Sequence, residues 1–218
     1  MSKIKTILVG DSQVGKTSLI TQYTRKTFDE EYIPTIAGDK STKEVEVNGK
    51  KETLEIWDTA GQEIYRNVNK IFMKGAKIAI LVYDMTNEVS FKGLKQWYDE
   101  IYEINGKNEI QFGVIANKSD LYEDAKIKAE EGKKYAEGIK AVFCETSAMN
   151  YDSVNDAFTN IVKEYVKKIE ENKKKQEEKL KEENNKKIEE PKKEEEKNTI
   201  KLDPNQLKNS KIKKSGCC

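Results

Sequence analysis

The eight residues from Gly10 to Thr17, GDSQVGKT, fit the pattern G-x-x-x-x-G-K-[ST]. They follow a short apolar run, KTILV, and precede the helical pattern KTSLITQYTRKTF, which is the strand, loop and helix context that this motif requires. Backbone N–H groups around Gly15 can bind phosphate oxygens at the start of that helix. The Lys16 ammonium would contact the outer phosphates, and the Thr17 hydroxyl would ligate Mg²⁺. The stretch therefore predicts a nucleoside triphosphate site.

The rest of the chain alternates buried strand patterns with amphipathic helical patterns. Near-continuous apolar runs are typical of strands in a parallel sheet that is covered on both faces. One segment differs, because residues 43–58 alternate with period two around Asn48-Gly49, which is a strong hairpin signal. We therefore predict an α/β fold with a doubly wound, mostly parallel six-stranded sheet and one antiparallel hairpin strand. The remaining strand patterns are 77–84, 110–117 and 141–147, and the helical patterns are 90–104, 125–137 and 151–169, the last with Asp152 or Ser153 as its N-cap.

Composition limits the classes of function. The 218 residues suit one domain and a tail, and the absence of histidine excludes histidine-based catalysis and histidine metal sites. Cys144 lies in an apolar run and is interpreted as a small buried residue, so no disulfide framework is expected. We also expect no signal peptide and no membrane-spanning segment, because no apolar run reaches eighteen residues. These features predict a protein made in the cytosol.

The net charge of +1 conceals two oppositely charged parts. Residues 1–162 hold 22 Lys and Arg against 26 Asp and Glu, whereas residues 163–218 hold 18 against 13. A negative globular part argues against nucleic-acid binding. The second part is rich in Lys, Glu and Asn. Its few apolar residues cannot bury enough surface to offset the conformational entropy lost on folding. We predict a domain over 1–168 and a charged, flexible or helical tail over 169–218, in which Glu and Lys pairs spaced by four can extend the last helix to about Glu190.

Two further motifs narrow the nucleotide and the chemistry. In NKSD, at 117–120, the Asp120 carboxylate can accept hydrogen bonds from the ring N–H and exocyclic amine of guanine, which adenine does not offer. In WDTAGQE, at 57–63, Asp58 is placed to hold Mg²⁺, Gly61 to contact the γ-phosphate and Gln62 to orient an attacking water. The combination predicts GTP as the nucleotide and argues against an ATP-dependent kinase or ATPase.

Taken in order, GDSQVGKTS, YIPTIAGD, WDTAGQE, NKSD and ETSA resemble the small GTPases of the Ras superfamily. LEIWDTAGQE, YDMTNEVSF, ETSA and the terminal CC resemble the Rab family most closely. The resemblance implies GTP and GDP as ligands, Mg²⁺ as cofactor, slow hydrolysis of GTP and recruitment of effectors in vesicle trafficking. Its implied partners are an exchange factor, a GTPase-activating protein, a prenylation escort and a GDP-dissociation inhibitor, acting on a monomer.

The resemblance also assigns individual residues. Thr35 would ligate Mg²⁺ in the GTP state, Phe28 would pack against guanine, and Tyr32 would lie over the phosphates. The implied catalytic residues are Gln62, Lys16 and Thr35, and the implied metal ligands are Thr17, Thr35 and Asp58. The implied nucleotide-binding residues are Ser12, Val14, Gly15, Lys16, Thr17, Ser18, Phe28, Tyr32, Thr35, Gly61, Asn117, Lys118, Asp120, Ser147, Ala148 and Met149.

Four positions depart from the family pattern. Lys40 stands where an aromatic residue usually contributes to the effector patch, and Ile64 follows GQE in place of Arg. Gln13 occupies a loop position that is commonly glycine, where a positive φ would strain it. Met149 replaces the usual lysine after Ser-Ala, which should weaken stacking on the base. We expect private contacts with partners rather than a different fold.

The last two residues, Cys217 and Cys218, do not form a C-a-a-X box. By the resemblance both would carry geranylgeranyl groups, and two lipids anchor a protein far more stably than one. The expected location is the cytoplasmic face of an intracellular membrane, with cycling through the cytosol. Two alternatives stay open at this point: a GTP-binding scaffold without useful hydrolysis, and a Ras- or Rho-like signalling GTPase.

Overall fold

Strands and helices alternate along the computed structural model, which describes residues 3–28, 35, 39–59, 66–106 and 110–189, with the backbone alone for 66–69 and 182–189. The six strands within these residues are β1 (Lys3–Val9), β2 (Asp39–Val47), β3 (Lys50–Asp58), β4 (Ile78–Asp84), β5 (Gln111–Asn117) and β6 (Val142–Glu145). The helices described are α1 (Lys16–Arg25), α2 (Arg66–Met73), α3 (Glu88–Asn105), α4 (Ala129–Gly138) and α5 (Tyr151–Glu189), with a 3₁₀ turn over Ser119–Asp124.

The strands form one sheet in the order β2-β3-β1-β4-β5-β6. Strand β2 runs antiparallel to β3, and every other neighbouring pair is parallel. At the hairpin, Val47 pairs with Lys50, and the two turn residues Asn48 and Gly49 have φ of 52° and 73°. Positive φ at both turn residues matches the right-handed twist of the flanking strands. The predicted fold class and hairpin are confirmed.

Each face of the sheet is covered by a separate apolar layer. On one face, α1 and α5 pack together through Tyr23 and Phe158, whose rings stack with centroids 4.1 Å apart. On the other face, α3 and α4 cover β4 and β5, with Trp97 and Leu94 fully buried. Because all residues of β4 and β5 are buried, their carboxyl ends can hold polar side chains only where these find partners. That edge of the sheet carries the motifs.

The last helix begins one residue earlier than its predicted cap. The Asn150 carboxamide accepts from the backbone N–H of Asp152 at 2.9 Å and of Ser153 at 3.2 Å. The predicted cap at Asp152 or Ser153 is therefore wrong, because the side chain two residues upstream satisfies these N–H groups first. The helix ends at Glu189, close to the predicted Glu190.

The chain divides into two units, Met1–Glu170 and Glu171–Cys218. In the second unit, the described side chains of residues 171–181 are all exposed. Across the part of the chain that the structure describes, no helix is both long and apolar enough to cross a bilayer.

Candidate functional site

The loop from Gly10 to Thr17 joins β1 to α1 at the carboxyl end of the sheet. Gly10 and Gly15 have φ of 146° and 93°, a conformation that side chains rarely adopt. A Cβ at Gly10 would also collide with the Val82 carbonyl oxygen, and one at Gly15 would collide with the Asn117 amide. Glycine is thus required at both positions, because the loop lies directly against the ends of β4 and β5.

Gln13 has a positive φ of 68°, which is the condition under which glutamine strains this loop, and its side chain is exposed. The left-handed region destabilises a residue with a Cβ by about 1–2 kcal/mol. Glycine avoids this strain but loses more backbone entropy on folding, which costs about 0.5–1 kcal/mol. We therefore expect Gln13→Gly to raise the free energy of unfolding by about 0.5–1 kcal/mol in urea denaturation. The matched control is Gln13→Ala, which keeps the strain and should give no gain; an equal gain for both variants would contradict the explanation.

Lys16 is the first residue of α1 and is 6 % exposed. Its Nζ donates to the carbonyl oxygens of Gly10 and Asp11, each at 2.8 Å, so the ammonium closes the loop on itself. Burial lowers the pKa of Lys16 to about 8, although the carboxylates of Asp58 and Asp11 oppose the shift. A cation that is poorly solvated in this way gains strongly from an incoming phosphate.

Thr17, Thr35 and Asp58 come from three separate segments and meet at one point. The Thr17 hydroxyl donates to Asp58 Oδ2 at 2.7 Å, and the Thr35 hydroxyl lies 2.8 Å from the Thr17 hydroxyl and 3.3 Å from Asp58 Oδ2. Burial raises the pKa of Asp58 despite the hydrogen bond from Thr17 and the charge of Lys16. The carboxylate is therefore poorly compensated by the protein alone.

The donor set at this point fits Mg²⁺. Asp58 Oδ1 is buried and has no hydrogen-bond partner within the described residues, so one carboxylate oxygen is left for a ligand. Two hydroxyls and one carboxylate supply only hard oxygen atoms, and Mg²⁺ is usually held by one or two carboxylates together with substrate phosphates. In the described ranges no cluster of three or more Cys, Asp or Glu residues could hold a metal by itself. Thr17, Thr35 and Asp58 are the residues that would hold Mg²⁺.

The NKSD and ETSA segments lie side by side at the ends of β5 and β6. The Asn117 amide, 1 % exposed, donates to the Val14 carbonyl at 2.8 Å and accepts from the Thr146 hydroxyl at 3.1 Å. The Ser147 hydroxyl makes a short hydrogen bond to the Asp120 carboxylate. Asn117 thus ties the NKSD segment to the loop from Gly10 to Thr17, and the Ser147 hydroxyl holds one oxygen of the Asp120 carboxylate.

Lys118 is fixed by a partner that the sequence analysis did not single out. Its Nζ lies 2.6 Å from Asp84 Oδ2 at the end of β4. Burial alone would raise the pKa of Asp84, but hydrogen bonds from Lys118 and Thr86 outweigh it and lower the pKa. Lys118 therefore lies across the carboxyl edge of the sheet, beside Asn117.

The other predicted nucleotide-binding residues fall into three groups. Val14 and Ala148 are buried, whereas Ser12, Ser18 and Phe28 are half-buried, and Phe28 packs on the same apolar layer as Ala148. Met149 is 56 % exposed, and its N–H donates to the Ser147 hydroxyl at 3.2 Å. The residues that lie outside the described part of the chain are Tyr32, Gly61, Gln62, Cys217 and Cys218, together with the departure at Ile64.

One contact that holds the loop from Gly10 to Thr17 was not predicted from the sequence. Asp11 accepts a hydrogen bond of 2.9 Å from Trp97 Nε1 in α3. Gly93, one turn earlier in α3, leaves room for the same carboxylate, which a Cβ there would contact at 2.9 Å. The spacing of four residues places Gly93 and Trp97 on one face of α3, but nothing in the sequence pairs that face with Asp11.

The departure at Lys40 changes the surface around Trp57. The Nζ atoms of Lys40 and Lys5 lie 5.8 Å and 5.3 Å from the centroid of the Trp57 ring, and Phe72 packs beside it at 5.3 Å. Lys40 also pairs with Glu55 at 3.7 Å. Where the family pattern has an aromatic neighbour, this chain therefore places a cation on the indole.

Comparisons with known proteins agree with this arrangement. The model of the Ras family matches residues 5–167. The chain is 40 % identical over 172 residues to the Ras-related protein SEC4 of Saccharomyces cerevisiae, covering 79 % of each chain. It is 34 % identical over 214 residues to the Ras-related protein Rab-11C of Dictyostelium discoideum, covering 98 % of this chain and 95 % of the relative. It is 39 % identical over 165 residues to the Ras-related protein rab-11.1 of Caenorhabditis elegans, covering 76 % and 78 %.

Proposed function

The chain belongs to the Ras family of small GTPases, in its Rab branch, and we propose that residues 1–168 bind guanine nucleotide and Mg²⁺ as the GTPase domain of a switch. It is a Rab-like GTPase that hydrolyses GTP and acts in vesicle trafficking. The observation that carries the site proposal is the convergence of Lys16, Thr17, Thr35 and Asp58 beside the Asn117 and Asp120 segment. Phosphate chemistry and base recognition thereby share one edge of the sheet.

The proposed mechanism relies on positioning and charge rather than on a protein nucleophile. Bound Mg²⁺ would supply positive charge for the phosphate oxygens. Lys16 places a buried ammonium at the phosphate loop, the Gly15 N–H and its neighbours donate to phosphate, and Gln62 orients the attacking water. The described part of the motifs contains no arginine at the site. Without one, enzymes of this kind turn over at about 10⁻⁴ to 10⁻³ s⁻¹, and an activator that inserts an arginine raises the rate by about 10⁵-fold.

The direct test is single-turnover hydrolysis of GTP by the purified full-length protein with Mg²⁺, with ATP as the control nucleotide. Slow conversion of GTP and none of ATP is the expected result. Hydrolysis of both nucleotides would overturn the base assignment to Asp120. Tight GTP binding without turnover would instead support the nucleotide-locked scaffold.

Gln62 is proposed as the residue that orients the water. We expect Gln62→Leu to slow hydrolysis at least about tenfold while nucleotide affinity is kept, because leucine cannot hydrogen-bond the attacking water. The measurement is the single-turnover rate together with the dissociation constant for GDP. The control is Gln176→Leu, the same change at an exposed position of α5. An unchanged rate in Gln62→Leu would remove Gln62 from this role.

We propose that residues 169–218 form a tail that attaches the domain to a membrane through lipids on Cys217 and Cys218. The match to Rab-11C over 98 % of this chain supports a shared tail, and the six lysines between Lys197 and Lys214 would add attraction to an anionic leaflet. The proposed setting is the cytoplasmic face of an intracellular membrane.

The proposed partners are effectors, an exchange factor, a GTPase-activating protein, a prenylation escort and a GDP-dissociation inhibitor, with the chain itself a monomer.

Loss of both terminal thiols should release the protein from membranes. We expect Cys217→Ser with Cys218→Ser to move it from the membrane to the soluble fraction of cells, because the two lipids that anchor it cannot be attached. Fractionation and microscopy of a tagged chain measure the shift. The control is Cys144→Ser, which changes the remaining cysteine and should leave membrane binding intact. Membrane retention in the double variant would refute the lipid proposal.

A further inference from the structure

Lys26 occupies a backbone position that normally selects glycine. It follows the last residue of α1 with φ 59° and ψ 35°, and its N–H donates to the Gln22 carbonyl at 3.0 Å. Helices that end in this left-handed cap usually carry glycine or asparagine there, because a Cβ is disfavoured. The local backbone therefore gives no reason for lysine, which directs attention to its side chain.

The Lys26 side chain reaches a different element. Its Nζ lies 4.4 Å from the centroid of the Tyr151 ring, well inside the range of a cation–π interaction. Tyr151 is the first residue of α5, and its hydroxyl lies 3.4 Å from the Asn155 carboxamide oxygen, at the outer limit of a hydrogen bond. The contact therefore joins the end of α1 to the beginning of α5.

Both partners flank the proposed base site. Lys26 lies two residues before Phe28, whereas Tyr151 directly follows the segment Ser147–Asn150. That segment is held by α5, because the Ser147 N–H donates to the Ser153 hydroxyl at 3.2 Å and that hydroxyl donates to the Ser147 carbonyl at 3.4 Å. Phe28 and Ala148 border the same apolar layer, so separation of these two segments would open the site to release of a guanine held between them.

We propose that Lys26 and Tyr151 form a clasp that holds the two sides of the base site together and slows nucleotide release. The inference rests on the proposed nucleotide site. Lys16 and Lys26 stand at opposite ends of α1, about 15 Å apart along the helix axis. The clasp therefore acts on the base and not on phosphate chemistry, and its two residues are positioning residues.

The test measures release of a fluorescent GDP analogue from the full-length protein with Mg²⁺, after addition of excess unlabelled GDP. Exposed cation–π contacts change equilibria about two- to fivefold, so Lys26→Gln and Tyr151→Leu should each release nucleotide about two- to fivefold faster. The double variant should be no faster than the faster single variant, because each change removes the same contact. Hydrolysis of pre-bound GTP should keep its rate in all of them.

Conservative variants separate the clasp from a general loss of packing. Lys26→Arg keeps the cation and Tyr151→Phe keeps the ring, so both should release at the wild-type rate. Lys95→Gln, an exposed lysine on α3, is the matched control. Wild-type release rates in Lys26→Gln and Tyr151→Leu, additive effects in the double variant, or fast release from Tyr151→Phe would each overturn the clasp. Failure of the wild type to retain the analogue would overturn the nucleotide site on which the clasp depends.

Discussion

A Lys16→Met variant is expected to bind GTP and GDP about 30-fold to several-thousand-fold more weakly than the wild type. Methionine fills a similar volume but leaves the phosphates without the buried ammonium that the loop holds over the Gly10 and Asp11 carbonyls. Removing one member of a buried, hydrogen-bonded charge pair costs about 2–5 kcal/mol, mostly because the other charge stays desolvated. Isothermal titration with GDP and Mg²⁺ measures the change.

The control for Lys16→Met is the same replacement at Lys95, an exposed residue whose partner Asp99 lies on the same helix. Lys95→Met should bind GDP as the wild type does. Circular dichroism of both variants establishes that the fold is retained. Wild-type affinity in a folded Lys16→Met variant would show that the phosphates bind elsewhere.

Asp120→Asn is expected to reverse the choice of base. Asparagine keeps an oxygen that can accept the hydrogen bond from Ser147, so the segment should hold its conformation. It replaces the second acceptor with an N–H₂ group, which would face the donors of guanine. Sites built to hydrogen-bond a substrate reject a mismatched one by about 10⁴-fold, because buried polar groups are left unpaired. We therefore expect GTP affinity to fall by about that factor and xanthosine triphosphate, which offers an acceptor there, to bind better than GTP.

Competition between the two nucleotides for the protein measures this preference directly. The control is Asp124→Asn, the same change at the other end of the same 3₁₀ turn. It should leave GTP preferred. Continued preference for GTP in Asp120→Asn would show that this carboxylate does not contact the base.

The fold followed from local patterns because each pattern had one physical cause. Buried parallel strands need apolar side chains on both faces, and β4 and β5 are apolar runs for that reason. The hairpin followed from Asn48-Gly49, since both residues tolerate positive φ. The convergence of the motifs followed from topology, because loops at the carboxyl ends of neighbouring parallel strands meet at one edge.

Contacts between distant positions could not be predicted in the same way. The bond from Trp97 to Asp11 spans 86 positions, and the pairing of Lys118 with Asp84 spans 34, without any periodic signal that links the partners. The contact of Lys26 with Tyr151 depends on a left-handed helix cap at Lys26. A lysine in the sequence does not predict such a cap. The cap of α5 was misplaced for a related reason: Asn150, Asp152 and Ser153 are all good caps, and only the backbone selects among them.

The only two tryptophans of the chain both lie beside the proposed nucleotide site. Trp97 is buried with its indole N–H on the phosphate loop, and Trp57 precedes Asp58 with two lysine cations near its ring. The two indoles therefore lie in dissimilar surroundings: Trp97 is buried and donates to a carboxylate, whereas Trp57 is half-exposed beside two lysine side chains. The protein consequently carries its own optical reporters, and unlabelled ultraviolet emission could follow loading and hydrolysis in real time, with Trp57→Phe and Trp97→Phe separating the two signals.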